Sequence, residues 1–282
     1  MTKLRERFKR DLEIKGYSPK TQQAYLGHIV RFAQYYGKSP DLLGTEEIKD
    51  YLHYIITERK LSKSYINQVY SSIKFFHETT LNRKWEMNSI PRVKKDKKLP
   101  EIFTKEEVKK ILDNTTNLKH KAILATIYAS GLRVSEVVNL KISDINSSEM
   151  QIKICGGKGK KDRLTILSES NLKILREYFK YYRPGHWLFP GADYSKPLTT
   201  RSVEHVLEKS KAKAGILKPA TVHSLRHSFA THLLEAGTDI YYIQKLLGHS
   251  NIKTTSIYLH MTTVKMKSIK SPLDTIDGDK NE

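Results

Sequence analysis

The chain has 282 residues, which exceeds one average domain and favours two. Hydrophobic residues make up 38% and aromatic residues 9%, enough to build compact cores and to exclude a wholly disordered chain. Fifty Lys and Arg against thirty Asp and Glu give a formal charge of +20, which makes nucleic acid the first partner to consider. An anionic membrane surface or an acidic protein would satisfy the same charge balance.

Cysteine content and hydropathy indicate the cellular compartment in which the protein works. The single cysteine, Cys155, excludes an internal disulfide and a zinc site built on CxxC pairs, and it fits a reducing environment. No apolar stretch approaches the roughly 18 residues of a membrane span, and the basic opening MTKLRERFKR leads into no signal-like core. We therefore expect a cytoplasmic protein without a membrane partner.

The N-terminal part is predicted to be a small antiparallel helical bundle. In its second helix Tyr25, Ile29, Phe32 and Tyr36 recur at intervals of three and four, and Ser18 precedes Pro19 as an N-cap. The fourth helix shows the same recurrence after Ser62. Such a stripe is typical of core packing, so we assign these aromatic residues to the core. The four amphipathic helices are predicted over about residues 3–15, 19–37, 45–60 and 62–80.

Residues 91–100 form a lysine-rich stretch with a proline at each end. We predict that this stretch is an extended, solvated linker between a domain over 1–90 and another over 101–282. It contains only two apolar residues. It is either an ordinary linker or a tether that follows DNA. The portions before and after residue 99 each carry +10, so both are expected to contact phosphate if the partner is DNA.

The C-terminal part is predicted to be mainly helical with one β-hairpin. Thr104 and Glu107 form a capping box, and a later buried helix ends at Gly131. Two strands are predicted around the turn CGGKGKKDR because apolar residues alternate on both sides of it: Met150, Ile152, Ile154, Leu164 and Ile166. Further helices are predicted near residues 169–182, 199–213, 223–236, 239–247 and 251–259.

Two strings place charged residues where a purely structural segment would not need them. In GLRVSE, Arg133 follows a helix end, and Glu136 stands three residues on, where its carboxylate can orient the guanidinium. In GGKGKKDR, lysines project from a glycine-rich hairpin. The second string is not a phosphate-binding Walker loop, because the spacing GxxxxGK[ST] is absent.

Two further strings lie near the C-terminus. In HSLRHSFATHLLEAG, His223 and Arg226 share a helical face, where both could meet one phosphate. His227 stands four residues after His223, but Ser224 occupies the position where the zinc motif HExxH requires glutamate, so a metal site is not expected. In LLGHSNIKTTSIYLH, His249 follows a helix-ending glycine, and a tyrosine stands nine residues later.

Together, in this order, these strings resemble those of the tyrosine recombinase (phage integrase) family, particularly the Xer-like site-specific recombinases. The resemblance implies a helical core-binding domain and a catalytic domain that form a C-shaped clamp on DNA, with no cofactor and no metal. It also implies an acidic supporting residue, Glu136. The catalytic set it implies is Arg133, Lys158, His223, Arg226, His249 and the nucleophile Tyr258.

These residue types suit attack on a phosphodiester. Two guanidiniums can stabilise the charge on the nonbridging oxygens, and His249 would hydrogen-bond the phosphate. Tyr258 needs a base or nearby positive charge, and His223 could accept its proton or organise the site. Lys158 would protonate the departing 5′-oxygen, with Lys160 and Lys161 as alternatives. Three other histidines are assigned structural roles: His227, His232 and His260.

The implied function is site-specific recombination through a 3′-phosphotyrosyl link and a Holliday junction, by a tetramer on double-stranded DNA with a short inverted repeat. It would serve chromosome dimer resolution or mobile-element integration and excision, with a possible second recombinase or accessory protein. The segment from about residue 262 would dock on a neighbouring protomer. The alternatives are a type IB topoisomerase and a catalytically silent DNA-binding protein.

Overall fold

A computed structural model describes residues 2–85, 90–94, 99–156 and 162–260, with only the backbone of the last residue. The chain divides into two compact units, Met1–Lys98 and Leu99–Glu282. Both are built mainly from helices, and the second also contains a small antiparallel sheet, so the predicted fold class is confirmed. None of the helices in these ranges is both long and apolar enough to cross a membrane.

Within its described residues the N-terminal unit contains four α-helices, the last followed directly by one π-helical turn. The predicted caps are present: the Ser18 hydroxyl accepts a hydrogen bond from the backbone N–H of Thr21, and the Ser62 hydroxyl accepts one from Tyr65. The helices are α1 (Lys3–Ile14), α2 (Pro19–Tyr36), α3 (Thr45–Thr57) and α4 (Lys63–Phe75), and the π-turn covers Phe76–Thr80. The fourth predicted helix therefore changes its winding for its last five residues.

Apolar and aromatic side chains from all four helices form the core of this unit. Phe32 of α2 and Ile73 of α4 are fully buried, and Phe8 of α1 packs edge-on against Phe76 at 5.2 Å between ring centroids. Tyr25 is half-buried against this core. Tyr25 and Phe32 thus pack in the bundle, as the helical periodicity predicted, and so does Tyr36.

The first part of the predicted linker packs on α4 instead of running through solvent. The carbonyl of Val93 accepts a hydrogen bond from Asn67 Nδ2 at 2.9 Å, and the Arg92 guanidinium lies 5.0 Å from the centre of the Tyr70 ring. Val93 itself packs against the core of the unit. One isolated valine among lysines carries no periodicity, so sequence reasoning could not detect this contact. Residues 95–98 lie outside the described residues.

The C-terminal unit is built around one helix that is buried on every side. That helix, α6, contains consecutive buried residues from Ala122 to Ile127 and packs against α8, α9 and α10. The helices are α5 (Lys105–Asp113), α6 (Leu118–Ser130), α7 (Val134–Val138), α8 (Glu169–Tyr182), α9 (Thr200–Lys213), α10 (Val222–Glu235) and α11 (Ile240–Leu247). The capping box of Thr104 and Glu107 opens α5 as predicted.

The sheet has three antiparallel strands in the order β1 (Ile145–Asn146), β2 (Gln151–Ile154) and β3 (Arg163–Ile166). The predicted hairpin is present, but β3 turns its other face to the core. Thr165 pairs with Ile152, is buried, and donates a hydrogen bond to the carbonyl of Ser130, whereas Leu164 is 55% exposed. A satisfied hydroxyl thus occupies the inward position that apolar alternation assigned to its neighbours.

The prediction of a last helix over 251–259 was wrong about the type of helix. Two short 3₁₀ segments, Ile252–Thr254 and Ser256–His260, replace a continuous α-helix. Asn251 caps the first segment by accepting a hydrogen bond from the backbone N–H of Lys253. This winding places Tyr258 inward, with 1% of its surface exposed.

Gly131 ends α6 in the left-handed conformation, with φ of 62°, and a β-carbon there would lie 2.4 Å from a ring carbon of Phe229. We expect Gly131→Ala to lower the free energy of unfolding by about 2–5 kcal/mol, because left-handed strain and overpacking add together. Urea denaturation measures the loss. Gly215→Ala, at φ of 69° in open space, is the matched control and should cost only the strain. Equal losses for both variants would contradict the overpacking.

Candidate active site

Arginines from three of the four sequence strings meet in the C-terminal unit around one carboxylate, that of Glu136. Arg133 is the N-cap of α7 and Arg163 is the first residue of β3, whereas Arg226 lies in the middle of α10. All three guanidiniums lie within 4 Å of the Glu136 carboxylate. The tight turn at the end of α6, the hairpin and α10 thus bring basic groups from distant parts of the sequence together.

Both oxygens of the Glu136 carboxylate accept hydrogen bonds from arginine groups. Its Oε1 lies 2.7 Å from Nη1 of Arg133, and its two oxygens accept two hydrogen bonds of 2.8 Å from Arg163. Oε2 also accepts the backbone N–H of Arg133 and lies 3.6 Å from Nη1 of Arg226. Burial alone would raise the pKa of Glu136, but Arg163 and Arg133 lower it to about 2. Glu136 is therefore ionised throughout the neutral range.

Arg226 is the most enclosed of the three arginines, with 1% of its surface exposed. It donates hydrogen bonds to the carbonyls of Gly131 and Leu247 and to Nε2 of His249 at 3.1 Å. Burial, followed by repulsion from Arg133, lowers the pKa of Arg226 to about 9, so the guanidinium stays charged at neutral pH. These contacts fix the orientation of its planar fork.

His249 is fixed by hydrogen bonds on both ring nitrogens. Because a guanidinium can only donate, Nε2 accepts from Arg226, and Nδ1 therefore carries the proton and donates to Thr255 Oγ1 at 2.9 Å. Burial, then the charges of Arg226, Arg133 and Arg163, lower the pKa of His249 to about 3. Its imidazole is therefore neutral in the absence of an anion.

Tyr258 lies beside this cationic cluster. Its hydroxyl is 3.0 Å from Nδ1 of His227, and the two ring centroids are 5.7 Å apart. Burial raises the pKa of Tyr258, whereas the charges of Arg226 and Arg133 act to lower it. The tyrosine is thus held as a neutral phenol within the field of two guanidiniums.

His223 lies one helical turn before His227, with its ring centroid 4.7 Å from that of His227. Its side chain is exposed. Burial of part of the ring, then the charges of Arg226 and Arg133, lower the pKa of His223. His223 is therefore neutral at neutral pH and open to a ligand.

The predicted site residues fall into two groups. The structure brings six of them together, and the predicted lysine, Lys158, lies outside the described residues. The six are Arg133, Glu136, His223, Arg226, His249 and Tyr258.

Sequence reasoning missed two contacts. Arg163 ends the string GGKGKKDR, in which only the lysines attracted attention, and it holds Glu136 with both nitrogens. His227 was assigned a structural role, but it contacts the Tyr258 hydroxyl. Its spacing of four from His223 was the available signal. His232 instead bonds the Tyr128 hydroxyl at 2.9 Å, and the side chain of His260 lies outside the described residues.

The site has more positive than negative charge. Three guanidiniums surround one carboxylate among the described residues, and the three histidines are neutral at neutral pH. The Arg133 side chain is 19% exposed, the most open of the three arginines. A net charge near +2 beside a tyrosine suits the binding of a phosphodiester.

Comparison with known proteins agrees with this chemistry. The model of the phage integrase family matches residues 101–264, and that of the phage integrase N-terminal SAM-like domain matches residues 4–87. An integrase/recombinase of Sinorhizobium fredii is 43% identical over 98% of this chain and 90% of its own length. The tyrosine recombinase XerA of Pyrococcus horikoshii is 36% identical, over 93% of this chain and 90% of its own length.

Among solved structures, a lambda integrase dimer bound to a COC′ core site matches with a TM-score of 0.74. It is 20% identical, and the match covers 94% of this chain and 97% of that one, which supports a common fold. The family models and the sequence relatives carry the assignment of function. The chain belongs to the phage integrase family and is a tyrosine-type, site-specific DNA recombinase.

Proposed function

We propose that this recombinase binds double-stranded DNA with a short inverted repeat and cleaves it with Tyr258 as the nucleophile. The observation that carries the proposal is the cluster of three guanidiniums on a single carboxylate beside a buried tyrosine. Arg133 and Arg226 would donate to the nonbridging oxygens of the scissile phosphate, with His223 as a further donor. His249 would become a donor when the charge of the bound phosphate raises its pKa and Nε2 takes up a proton. The lambda integrase structure bound to its core site supports DNA as the partner.

The proposed reaction is a transesterification. The Tyr258 oxygen forms a bond to phosphorus as its proton leaves, and the bond from phosphorus to the 5′-oxygen breaks. A proton from a general acid converts that oxygen to a 5′-hydroxyl, and the 3′-phosphate stays on the tyrosine. Because the phosphodiester is exchanged and not hydrolysed, a 5′-hydroxyl can reverse the step without ATP or a metal. Attack by the hydroxyl of a partner duplex gives strand exchange.

The proposed general acid is Lys158, between two glycines of the hairpin turn. We expect Lys158→Ala to slow cleavage of ordinary DNA by about 10²–10⁴-fold. A substrate with sulfur at the 5′-bridging position should restore the rate, because a thiolate leaves without protonation. Single-turnover adduct formation measures both rates. Lys160→Ala and Lys161→Ala are the matched controls, and rescue confined to either of them would reassign the acid.

The N-terminal unit is proposed to bind DNA through the exposed face of α2 and α4. A shallow depression between these helices is lined by polar and basic side chains, and the Arg31 guanidinium donates to the Tyr65 hydroxyl at 3.3 Å. Other lining residues are Lys20, Gln23 and Gln68. Such groups can contact phosphates and base edges in a groove.

We expect strong salt dependence if both units neutralise phosphates. Affinity for a labelled duplex carrying the site should fall by about 10³-fold or more between about 50 and 200 mM salt, because bound counterions are released. Fluorescence anisotropy at several salt concentrations measures the slope. The N-terminal variant Arg31→Gln should reduce the slope by about one phosphate contact. A nearly flat dependence would contradict DNA contact by both units.

The proposed assembly is a tetramer on two duplexes in the cytoplasm, with a possible second recombinase or accessory protein. The segment from about residue 262 is proposed to dock on a neighbouring protomer. The sequence there, together with the preceding Met261, sets apolar residues among basic ones: Met261, Val264, Ile269 and Leu273. Such coupling would let cleavage at one active site depend on its neighbour.

Covalent capture tests the function even while the target sequence is unidentified. The protein is incubated with sheared genomic DNA of its source organism, denatured with detergent, and the DNA fragments attached to protein are sequenced. Adducts that converge on one inverted repeat support site-specific recombination, and the location of that repeat separates a chromosomal site from the ends of a mobile element. Scattered adducts would favour topoisomerase activity. No adducts, even with nicked substrates, would favour a silent DNA-binding protein.

A further inference from the structure

The hydroxyl of Tyr258 has a specific partner that belongs to α10. Nδ1 of His227 lies 3.0 Å from this hydroxyl, and the tyrosine is 1% exposed. At this burial, water has little access to the hydroxyl. The environment of the phenolic proton is therefore set mainly by His227.

Both groups of this hydrogen bond are neutral at neutral pH. Burial, followed by electrostatic repulsion of the protonated ring by His223 and Arg226, lowers the pKa of His227 to about 4, so the imidazole is neutral. Tyr258 is also neutral, since burial raises its pKa. In the tautomer with its proton on Nε2, the neutral imidazole presents a lone pair at Nδ1, to which the phenol can donate. In this tautomer His227 is positioned to accept the phenolic proton as a general base.

We propose that His227 is a catalytic residue that accepts the Tyr258 proton during cleavage and returns it during rejoining; this rests on the proposed role of Tyr258 as nucleophile. As the Tyr258 oxygen bonds to phosphorus, its proton moves to Nδ1 of His227. The bond from phosphorus to the 5′-oxygen breaks, and that oxygen takes a proton from the general acid. In the reverse reaction both protons move back.

His223 is less suited to this step. Its side chain is exposed, and within the described residues its ring packs against the ring of His227, which is the histidine that bonds the Tyr258 hydroxyl. This exposure suits contact with the phosphate. The two histidines, one turn apart on α10, would therefore divide the work: His223 faces the substrate and His227 faces the nucleophile.

The surrounding charges make the step depend on substrate. A protonated His227 would be repelled by Arg226, whereas Arg226 and Arg133 act to stabilise the phenolate of Tyr258. A bound phosphodiester supplies a negative charge that offsets this repulsion and raises the proton affinity of His227. The proton would thus move to His227 as the Tyr258 oxygen bonds to phosphorus, without a free phenolate forming first.

The decisive variant is His227→Asn, whose amide can still occupy the hydrogen-bonding position but cannot take up a proton. Single-turnover adduct formation is measured on a nicked duplex that carries the site found by covalent capture. We expect a loss of about 10²–10⁴-fold near neutral pH. The rate of the variant should rise roughly tenfold per pH unit, since hydroxide must now remove the proton, while the unsubstituted protein stays nearly flat.

His232→Asn is a matched control, because His232 also lies on α10 and bonds a tyrosine hydroxyl, that of Tyr128, at 2.9 Å. It should retain the rate and pH profile of the unsubstituted protein. A second test replaces Tyr258 with a fluorinated tyrosine, which ionises more readily. This replacement should restore much of the rate of His227→Asn, a rescue that a purely structural role of His227 would not produce.

The outcomes separate the inference from the proposed function. If the unsubstituted protein forms no adduct, the assignment of Tyr258 fails. If it forms adducts and His227→Asn matches it at every pH, or cleaves faster because a restraint was removed, the base role is overturned. The same conclusion follows if the steep pH profile and the fluorotyrosine rescue belong to His223→Asn instead. Thermal unfolding of each variant separates loss of rate from loss of fold.

Discussion

Replacing Tyr258 with phenylalanine is expected to abolish the covalent protein–DNA adduct while leaving DNA binding nearly unchanged. The ring fills the same buried volume, so only the hydroxyl is lost. Without that oxygen no bond to phosphorus can form, and the arginines of the site remain to hold the phosphate. Stability should change by about 1 kcal/mol, because His227 loses one hydrogen-bond partner.

Detergent-resistant adducts on the mapped site measure the loss, and a gel-shift titration on the same duplex measures binding. Tyr241→Phe is the matched control, because Tyr241 lies on α11 and is 54% exposed. It should form adducts at the rate of the unsubstituted protein. Adducts that persist in Tyr258→Phe would contradict its role as nucleophile, and their loss in Tyr241→Phe would move the nucleophile to α11.

Local signals predicted much of the fold. Ser18 and Ser62 were predicted N-caps and are caps, because capping depends on residues within one turn. The inward face of β3 was not predictable in this way. Thr165 takes it because its hydroxyl reaches the Ser130 carbonyl at the end of α6, a partner 35 residues away in sequence. Contacts of this kind arise only when the elements pack.

The active site likewise combines contacts within one turn, which the sequence predicted, with contacts between distant residues, which it did not. The Arg133 and Glu136 pair lies within one turn, so its spacing was visible in the sequence. The bonds of Arg163 to Glu136 cross 27 residues, and those of His227 to Tyr258 cross 31. A family motif fixes the order of such residues, but the hydrogen-bond partner of each depends on how β3 and the 3₁₀ segment after α11 pack on α10.

Neutralising Glu136 is expected to destabilise the whole C-terminal unit. Glu136→Gln keeps the side-chain shape but leaves Arg133, Arg163 and Arg226 without a counter-charge, and its amide nitrogen opposes a guanidinium donor. Breaking a buried ion pair on one side costs about 3–5 kcal/mol. Cleavage should fall although DNA binding is kept, because the arginines lose their orientation while their positive charge is no longer offset.

The expected loss depends on pH in a defined direction. The pKa of Glu136 is lowered to about 2 in the folded protein, from an ordinary value of 4.5. Its stabilising contribution is therefore fully present above about pH 4.5 and is lost as the pH falls towards 2. Urea denaturation at neutral pH and at about pH 3 should show the gap between Glu136→Gln and the unsubstituted protein narrowing in acid.

Asp113→Asn is the control, since Asp113 forms an exposed ion pair with Lys109 at 2.6 Å. Its removal should cause no measurable change in stability or cleavage, because exposed pairs are screened by solvent. Added DNA should stabilise Glu136→Gln more than the unsubstituted protein, since a bound phosphate supplies the missing negative charge. Equal stabilisation of both proteins by DNA would mean that the phosphate binds away from these guanidiniums, and the proposed site would then be wrong.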